Sequence, residues 1–247
     1  YYCVDDFSVW PGYDGETMQR MERDLVPKMD AIVAVSDTLV NHIGTFGREA
    51  KLLTHGVDLD HWKRDGTVPI EFAKLPEPRV VFWGVIDRRM DTAFLSMLDT
   101  KRVAGSIVLI GPKEDPDPVV LNLSKVRILP PLPFDTLPAI AQASSVLVMP
   151  YADLPVTRAM QPLKLKEYLA TGKSVVVRGL PSTREWADCC DVRDTPEAFA
   201  EAVLERVEKG VPDEQLRNRA RLSLESWAGK ARQFESWLDG AAEQTGS

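Results

Sequence analysis

Short, mostly apolar runs that read as strands recur along the middle of the chain, at Val80–Trp83, Ser106–Ile110, Val126–Leu129, Val146–Met149 and Val175–Val177, with helix-patterned segments between them. Continuous runs of this length, as opposed to alternating ones, suit strands buried on both faces. Strands that alternate with helices close through right-handed crossovers, so the pattern predicts an α/β fold built on a parallel sheet with helices on both faces. Such sheets bind ligands beyond the carboxyl ends of their strands. The residues just past each run are therefore where function is sought.

The stretch before the last run is the most informative. Pro162 suits the first position of a helix and Gly172 the residue that closes one, which predicts a helix from Pro162 to Thr171. Its start, at the sheet edge, offers free N–H groups and the positive end of a dipole to an anionic diphosphate. Lys164 and Glu167 stand three residues apart on one face of that helix. The amine can hold a phosphate while the carboxylate accepts hydrogen bonds from neighbouring ribose hydroxyls. The loop after the first run, Gly84 to Asp91, brings Arg88 and Arg89 to the same edge. Positioned cations stabilise the concentrated negative charge of such a diphosphate. Arg88, Arg89 and Lys164 are thus the expected catalytic clamp. The competing reading pairs both arginines with Asp87 and Asp91 on a solvated loop.

Around this core, Tyr1–Val4, Ala31–Val35 and Lys51–Leu53 read as strands. Glu16–Val26 reads as a helix whose Met18, Met21 and Leu25 face a core, and Ser36 or Asp37 caps another helix through Ile43. Leu59–Pro78 carries many charges and three prolines without a period, which predicts a linker. Pro196–Lys209, Asp213–Leu224 and Trp227–Leu238 predict helices. Lys166 and Lys173 are expected on the surface.

With 247 residues and 44% hydrophobic content, the chain can bury a sizeable core, and its formal charge of -7 disfavours nucleic acid as a partner. The cysteines, Cys3, Cys189 and Cys190, show no C-x-x-C spacing and read as reduced thiols, which predicts a cytoplasmic protein. No apolar run is long enough to cross a bilayer, and no D-x-D element stands where metal-dependent transfer would need one, so no bound metal is expected. The first residue is Tyr1, so the sequence is expected to be cut from a longer one.

Pro162 to Gly172, preceded by the strand-like Val146–Tyr151, resembles the donor-binding segment of GT-B glycosyltransferases, especially the retaining enzymes of family 4. Thr54-His55-Gly56-Val57-Asp58 is similar to the phrase with which those enzymes leave their N-terminal domain. The resemblance implies a GT-B fold with a C-terminal, Rossmann-like donor domain and a remnant of the N-terminal domain. The expected spans are 1–65 for that acceptor-binding remnant and linker, 66–226 for the donor domain, and 227–247 for a helix returning to the N-terminal domain. It implies transfer from a nucleotide diphosphate sugar, without metal or cofactor, to a glycan or lipid acceptor, with peripheral membrane contact through a missing N-terminal portion. Glu167 would hold the ribose, and Leu132, between Pro131 and Pro133, the base through its N–H. Gly84 and Leu163 would complete the donor site. Eight positions before Glu167, where the family has another glutamate, this chain has Ala159, leaving its sugar contact to Gln161 or Thr157. A sugar-nucleotide epimerase of the same architecture, or a module that binds nucleotide sugars without transfer, are the rival readings.

Overall fold

The computed structural model describes residues 1–101 and 105–245, with side chains through Leu238. Its chain divides into two units, each described by itself. One comprises Tyr1–Val57, Leu154–Leu163 and Ser223–Ser247; the other comprises Asp58–Asp153 and Lys164–Leu222. The expected breaks at 65/66 and 226/227 therefore differ from the observed ones, and residues 154–163 leave the middle segment altogether. Residues 246 and 247 of the expected last segment lie outside the described residues.

In the first unit, strands β1 (Tyr2–Cys3), β2 (Val33–Ala34) and β3 (Lys51–Leu52) pair in parallel in that order. Helix α1 (Gly15–Leu25) starts at Asp14, whose carboxylate accepts from Thr17 N–H, and α2 (Asp37–Gly44) at Ser36, whose hydroxyl accepts from Leu39 N–H. The core of the unit gathers Cys3, Val26, Ile32, Val35, Leu39 and Ile43. Contrary to expectation, α1 buries none of its residues. Met21 is 60% exposed, and Met18, Met21 and Leu25 line an open cavity of about 400 Å³ with Tyr1 and Phe7. Helix α12 (Trp227–Thr245) also belongs here. Its Phe234 and Trp237 flank a cavity with Ile32 and Lys51, the Lys51 amine lying 5.3 Å from the Trp237 ring centre.

The expected linker is folded. His61–Lys63 forms a 3-10 turn and Ile70–Ala73 the short helix α3, with Trp62 and Phe72 buried. Proline and charge predict irregular backbone locally, but two aromatic rings supply enough apolar area to hold the segment, about 2–3 kcal/mol each when fully buried. Strands β4 (Arg79–Trp83), β5 (Ser106–Ile110), β6 (Val126–Leu129), β7 (Val146–Met149), β8 (Val175–Arg178) and β9 (Asp191–Arg193) form a parallel sheet in the order β6-β5-β4-β7-β8-β9. Every residue of β4, β5 and β7 is buried, as the unbroken apolar runs require. Strand β9, with charged residues at both ends, escapes that pattern because it is the last strand of the sheet.

Helices α4 (Thr92–Thr100), α5 (Pro118–Asn122), α6 (Leu137–Gln142), α8 (Leu163–Ala170) and α9 (Pro181–Arg184) fill the crossovers, α7 (Pro155–Ala159) lies in the excursion to the first unit, and α10 (Pro196–Lys209) follows β9. Gly172 ends α8 with φ of 75°, where side chains are disfavoured. The helix expected over Asp213–Leu224 instead ends at Asn218 as α11 and continues as a 3-10 helix, Arg219–Glu225. Arg219 is buried and donates to the carbonyls of Cys189 and Lys173, so it anchors the tighter turn to the sheet side. Lys166 is also buried, 2% exposed, with its amine 6.0 Å from the Trp186 ring centre. The expectation of a surface lysine is wrong there; Lys173 stays half-exposed and donates to the Gln142 carbonyl. All three cysteines are free and buried.

Candidate functional site

The sheet grows outward from β4 through β5 to β6, then resumes on the other side of β4 with β7. A reversal of this kind opens a crevice beyond the carboxyl ends of β4 and β7, where doubly wound sheets take their ligands. Ladder pairing between the two strands ends at Val81 and Leu147. Past it, the Trp83 N–H donates to the Tyr168 hydroxyl at 3.0 Å, so a side chain of α8 occupies the gap.

The loop after β4 is fixed on two sides. Asp91 N–H donates to the Pro150 carbonyl at 2.8 Å and Ala152 N–H to the Arg89 carbonyl at 2.7 Å, an antiparallel ribbon with the segment after β7. Ile86 pairs with Lys113 on the loop after β5. Two glycines make the approach feasible. Gly84 has φ of 139° and Gly111 φ of 146°, and a Cβ on Gly111 would lie 2.0 Å from the Gly84 carbonyl oxygen.

This ribbon sets Arg89 against Tyr151. The Arg89 guanidinium carbon lies 5.9 Å from the Tyr151 ring centre, and the Lys164 amine lies 5.1 Å from it while donating to the Tyr151 hydroxyl at 2.5 Å. Gly84 belongs to the same cluster, because a Cβ there would meet Lys164 Cε at 2.8 Å. Arg89 is 8% exposed and forms a two-pronged pair with Asp87, Nη2 to Oδ2 at 2.7 Å and Nε to Oδ2 at 2.9 Å. Arg88 takes another direction. It pairs with Asp115 at 3.2 Å on the loop after β5, its side chain 48% exposed.

One turn into α8, Glu167 turns inward to Trp83, whose indole Nε1 donates to Glu167 Oε2 at 3.4 Å. Burial raises the Glu167 pKa, and the Trp83 hydrogen bond and the Lys164 charge partly offset it. Leu132, half-buried, follows the carboxyl end of β6. That end is two strands from β4, roughly 10 Å at ordinary strand spacing. Gly84, Arg89, Lys164 and Glu167 thus come together, and Leu132 lies along the same edge.

Thr157, Gln161 and Leu163 fall in the first unit. Thr157 is fully buried, its hydroxyl accepting from Leu154 N–H at 2.9 Å and donating to the Leu154 carbonyl at 3.0 Å, which closes the first turn of α7. Gln161 is 6% exposed and its side-chain carbonyl accepts from His55 N–H at 3.3 Å. Leu163 is half-buried at the start of α8. Trp83, Tyr151 and Tyr168 were not among the residues read from sequence. The available signal was an aromatic residue at or just past the carboxyl end of a strand, here Trp83 and Tyr151.

No family model matches the chain. Over 178 residues it is 26% identical to "Putative teichuronic acid biosynthesis glycosyltransferase TuaH" of Bacillus subtilis (strain 168), an alignment of 68% of this chain and 45% of that protein. Sucrose-phosphate synthase of Thermosynechococcus elongatus superposes with a TM-score of 0.69 at 18% identity, over 93% of this chain and 62% of the other. Anabaena HepE, solved in complex with UDP, superposes with a TM-score of 0.73 at 14% identity, over 97% of this chain and 71% of the other. The fold is of the GT-B type. The chain spans less than half of the curated relative and under two thirds of the sucrose-phosphate synthase. Within the GT-B fold, the crevice between β4 and β7 is the candidate ligand site, and its lining of Gly84, Arg89, Tyr151, Lys164 and Glu167 combines two cations with one half-buried carboxylate.

Proposed function

We propose that the chain carries the donor-binding half of a glycosyltransferase, which moves a sugar from a nucleotide diphosphate sugar to a glycan or lipid acceptor. The observation that carries this reading is the first turn of α8 at the switch point, with Lys164 donating to the Tyr151 hydroxyl and Glu167 accepting from the Trp83 indole. A diphosphate fits between Lys164 and Arg89, and the ribose diol fits the Glu167 carboxylate. Anabaena HepE, of the same fold, has been solved with UDP and with UDP-glucose, which supports a nucleotide sugar as donor.

The finer reading is a metal-independent, retaining enzyme. Two cations beside the crevice can take the charge that grows on the leaving diphosphate. The likeness of Pro162–Gly172 to family 4 enzymes supports retention at the anomeric carbon. Cytoplasmic location and peripheral membrane contact belong to the same reading; among the described residues no helix is long and apolar enough to cross a membrane. One observation favours binding without transfer: Ala159 stands where family 4 enzymes have a second glutamate, and it is buried, with its carbonyl accepting from the Ser36 hydroxyl.

Calorimetry with UDP, GDP and ADP, each beside its nucleoside, tests the reading. Binding of a diphosphate at least tenfold tighter than its nucleoside is expected, and no binding of any of them would overturn it. Release of nucleoside diphosphate from the matching sugar nucleotide, with and without chelator, separates a transferase from a binding module.

A further inference from the structure

Trp83 is the last residue of β4, and α8 grips it twice. Its backbone N–H donates to the Tyr168 hydroxyl at 3.0 Å, and its indole N–H donates to Glu167 Oε2 at 3.4 Å. The ring is 5% exposed and has little freedom to turn. On one side it stacks on Trp62, with centroids 5.5 Å apart and planes 9° from parallel; on the other it meets the Tyr168 ring edge-on at 4.3 Å. Trp62 comes from the segment that charge and proline marked as a linker. Two aromatic contacts therefore fix the direction of the single N–H the indole can donate.

A carboxylate that is to receive a vicinal diol needs its plane set and its charge kept despite burial. Among the described residues, Glu167 Oε2 has Trp83 as its donor and Oε1 has no hydrogen-bond partner. We propose that Trp83 is a positioning residue for ribose recognition: its indole N–H holds Oε2, so that Oε1 is presented to the two ribose hydroxyls of the nucleotide. The inference rests on the nucleotide reading above and extends it to a residue that never touches the ligand. The direction of the Glu167 pKa agrees with this geometry. Burial pushes it up, and the Trp83 hydrogen bond is the first influence opposing that rise.

The test is Trp83→Phe, which keeps a ring in the stack and removes the N–H. The probe is whichever of UDP, GDP or ADP the wild type binds most tightly, together with its 2′,3′-dideoxy counterpart. The variant is expected to bind the ribonucleotide about tenfold more weakly while its affinity for the dideoxy form hardly changes. Its loss of ribonucleotide binding on acidification should also begin at higher pH, because the carboxylate has lost a stabilising donor. In a Glu167→Ala background the same substitution should have almost no effect. That double variant keeps the proposal falsifiable even if Trp83→Phe lowers stability, since a purely structural role would weaken binding equally in both backgrounds. A wild type that prefers the diol, beside a Trp83→Phe variant with the same preference and pH profile, overturns the positioning role alone. A wild type that binds none of the diphosphates overturns the nucleotide reading beneath it.

Discussion

Lys164 and Tyr151 meet amine to hydroxyl at 2.5 Å, and the ring of that tyrosine also faces the guanidinium of Arg89. One phenol ring thus collects two cationic side chains. Ordinarily they would repel each other; here Asp87 answers Arg89 and the phenol oxygen answers Lys164.

The first prediction concerns these cations. Lys164→Met or Arg89→Met should weaken nucleoside diphosphate binding by about tenfold or more and leave nucleoside binding near wild type, since charge-assisted hydrogen bonds contribute about 1.5–3 kcal/mol. Arg88→Ala should do neither, because Arg88 is committed to Asp115. Calorimetric titration of each variant decides, and equal losses for nucleoside and diphosphate would contradict the clamp.

Glu167 gives the second. Its carboxyl is held above the usual glutamate range, mainly by burial. Ribose binding needs the ionised form, so affinity should fall as pH drops through that raised pKa, starting at higher pH than an ordinary glutamate would allow. Glu167→Gln should flatten this profile and weaken binding at neutral pH. Affinity measured from pH 8 down to pH 5 checks it.

His42 supplies a third, in the other unit. Its Nε2 lies 2.7 Å from Glu22 and its Nδ1 3.9 Å from Asp6, and the Glu22 hydrogen bond raises its pKa against the opposing effect of burial. A raised folded-state pKa contributes stability that is fully present below the unfolded value of about 6.5 and is lost as pH rises through the folded one. Urea unfolding should therefore show stability falling above pH 6.5, and His42→Gln should remove most of that slope.

The fourth is steric. Gly111→Ala would place a methyl 2.0 Å from the Gly84 oxygen at a φ of 146°. The backbone strain alone costs roughly 1–3 kcal/mol, and the clash adds to it. A lowered urea midpoint, with weaker diphosphate binding because the loop carrying Arg89 is displaced, is the expected result.

Much of this arrangement could be read before any coordinates. Strands β4, β5, β7 and β8 announced themselves because a parallel sheet covered on both faces needs unbroken apolar runs. Pro162 and Gly172 bracketed α8, and the spacing of Lys164 and Glu167 followed from helix geometry. What remained hidden depends on distant partners. Trp62 and Phe72 fold a charged, proline-bearing stretch only because there is a core to receive them, and Lys166 is buried against expectation. Where the Arg88 and Arg89 side chains go depends on Asp115 and Tyr151, which sequence order does not place beside either.

The short ribbon joining Asp91 to Pro150 and Ala152 to Arg89 has a kinetic consequence. A guanidinium on a free loop must surrender motion each time an anion arrives, whereas this one is already braced before the encounter. Capture of a diphosphate should then proceed in a single diffusive step, with no slower phase in stopped-flow traces and little entropic toll.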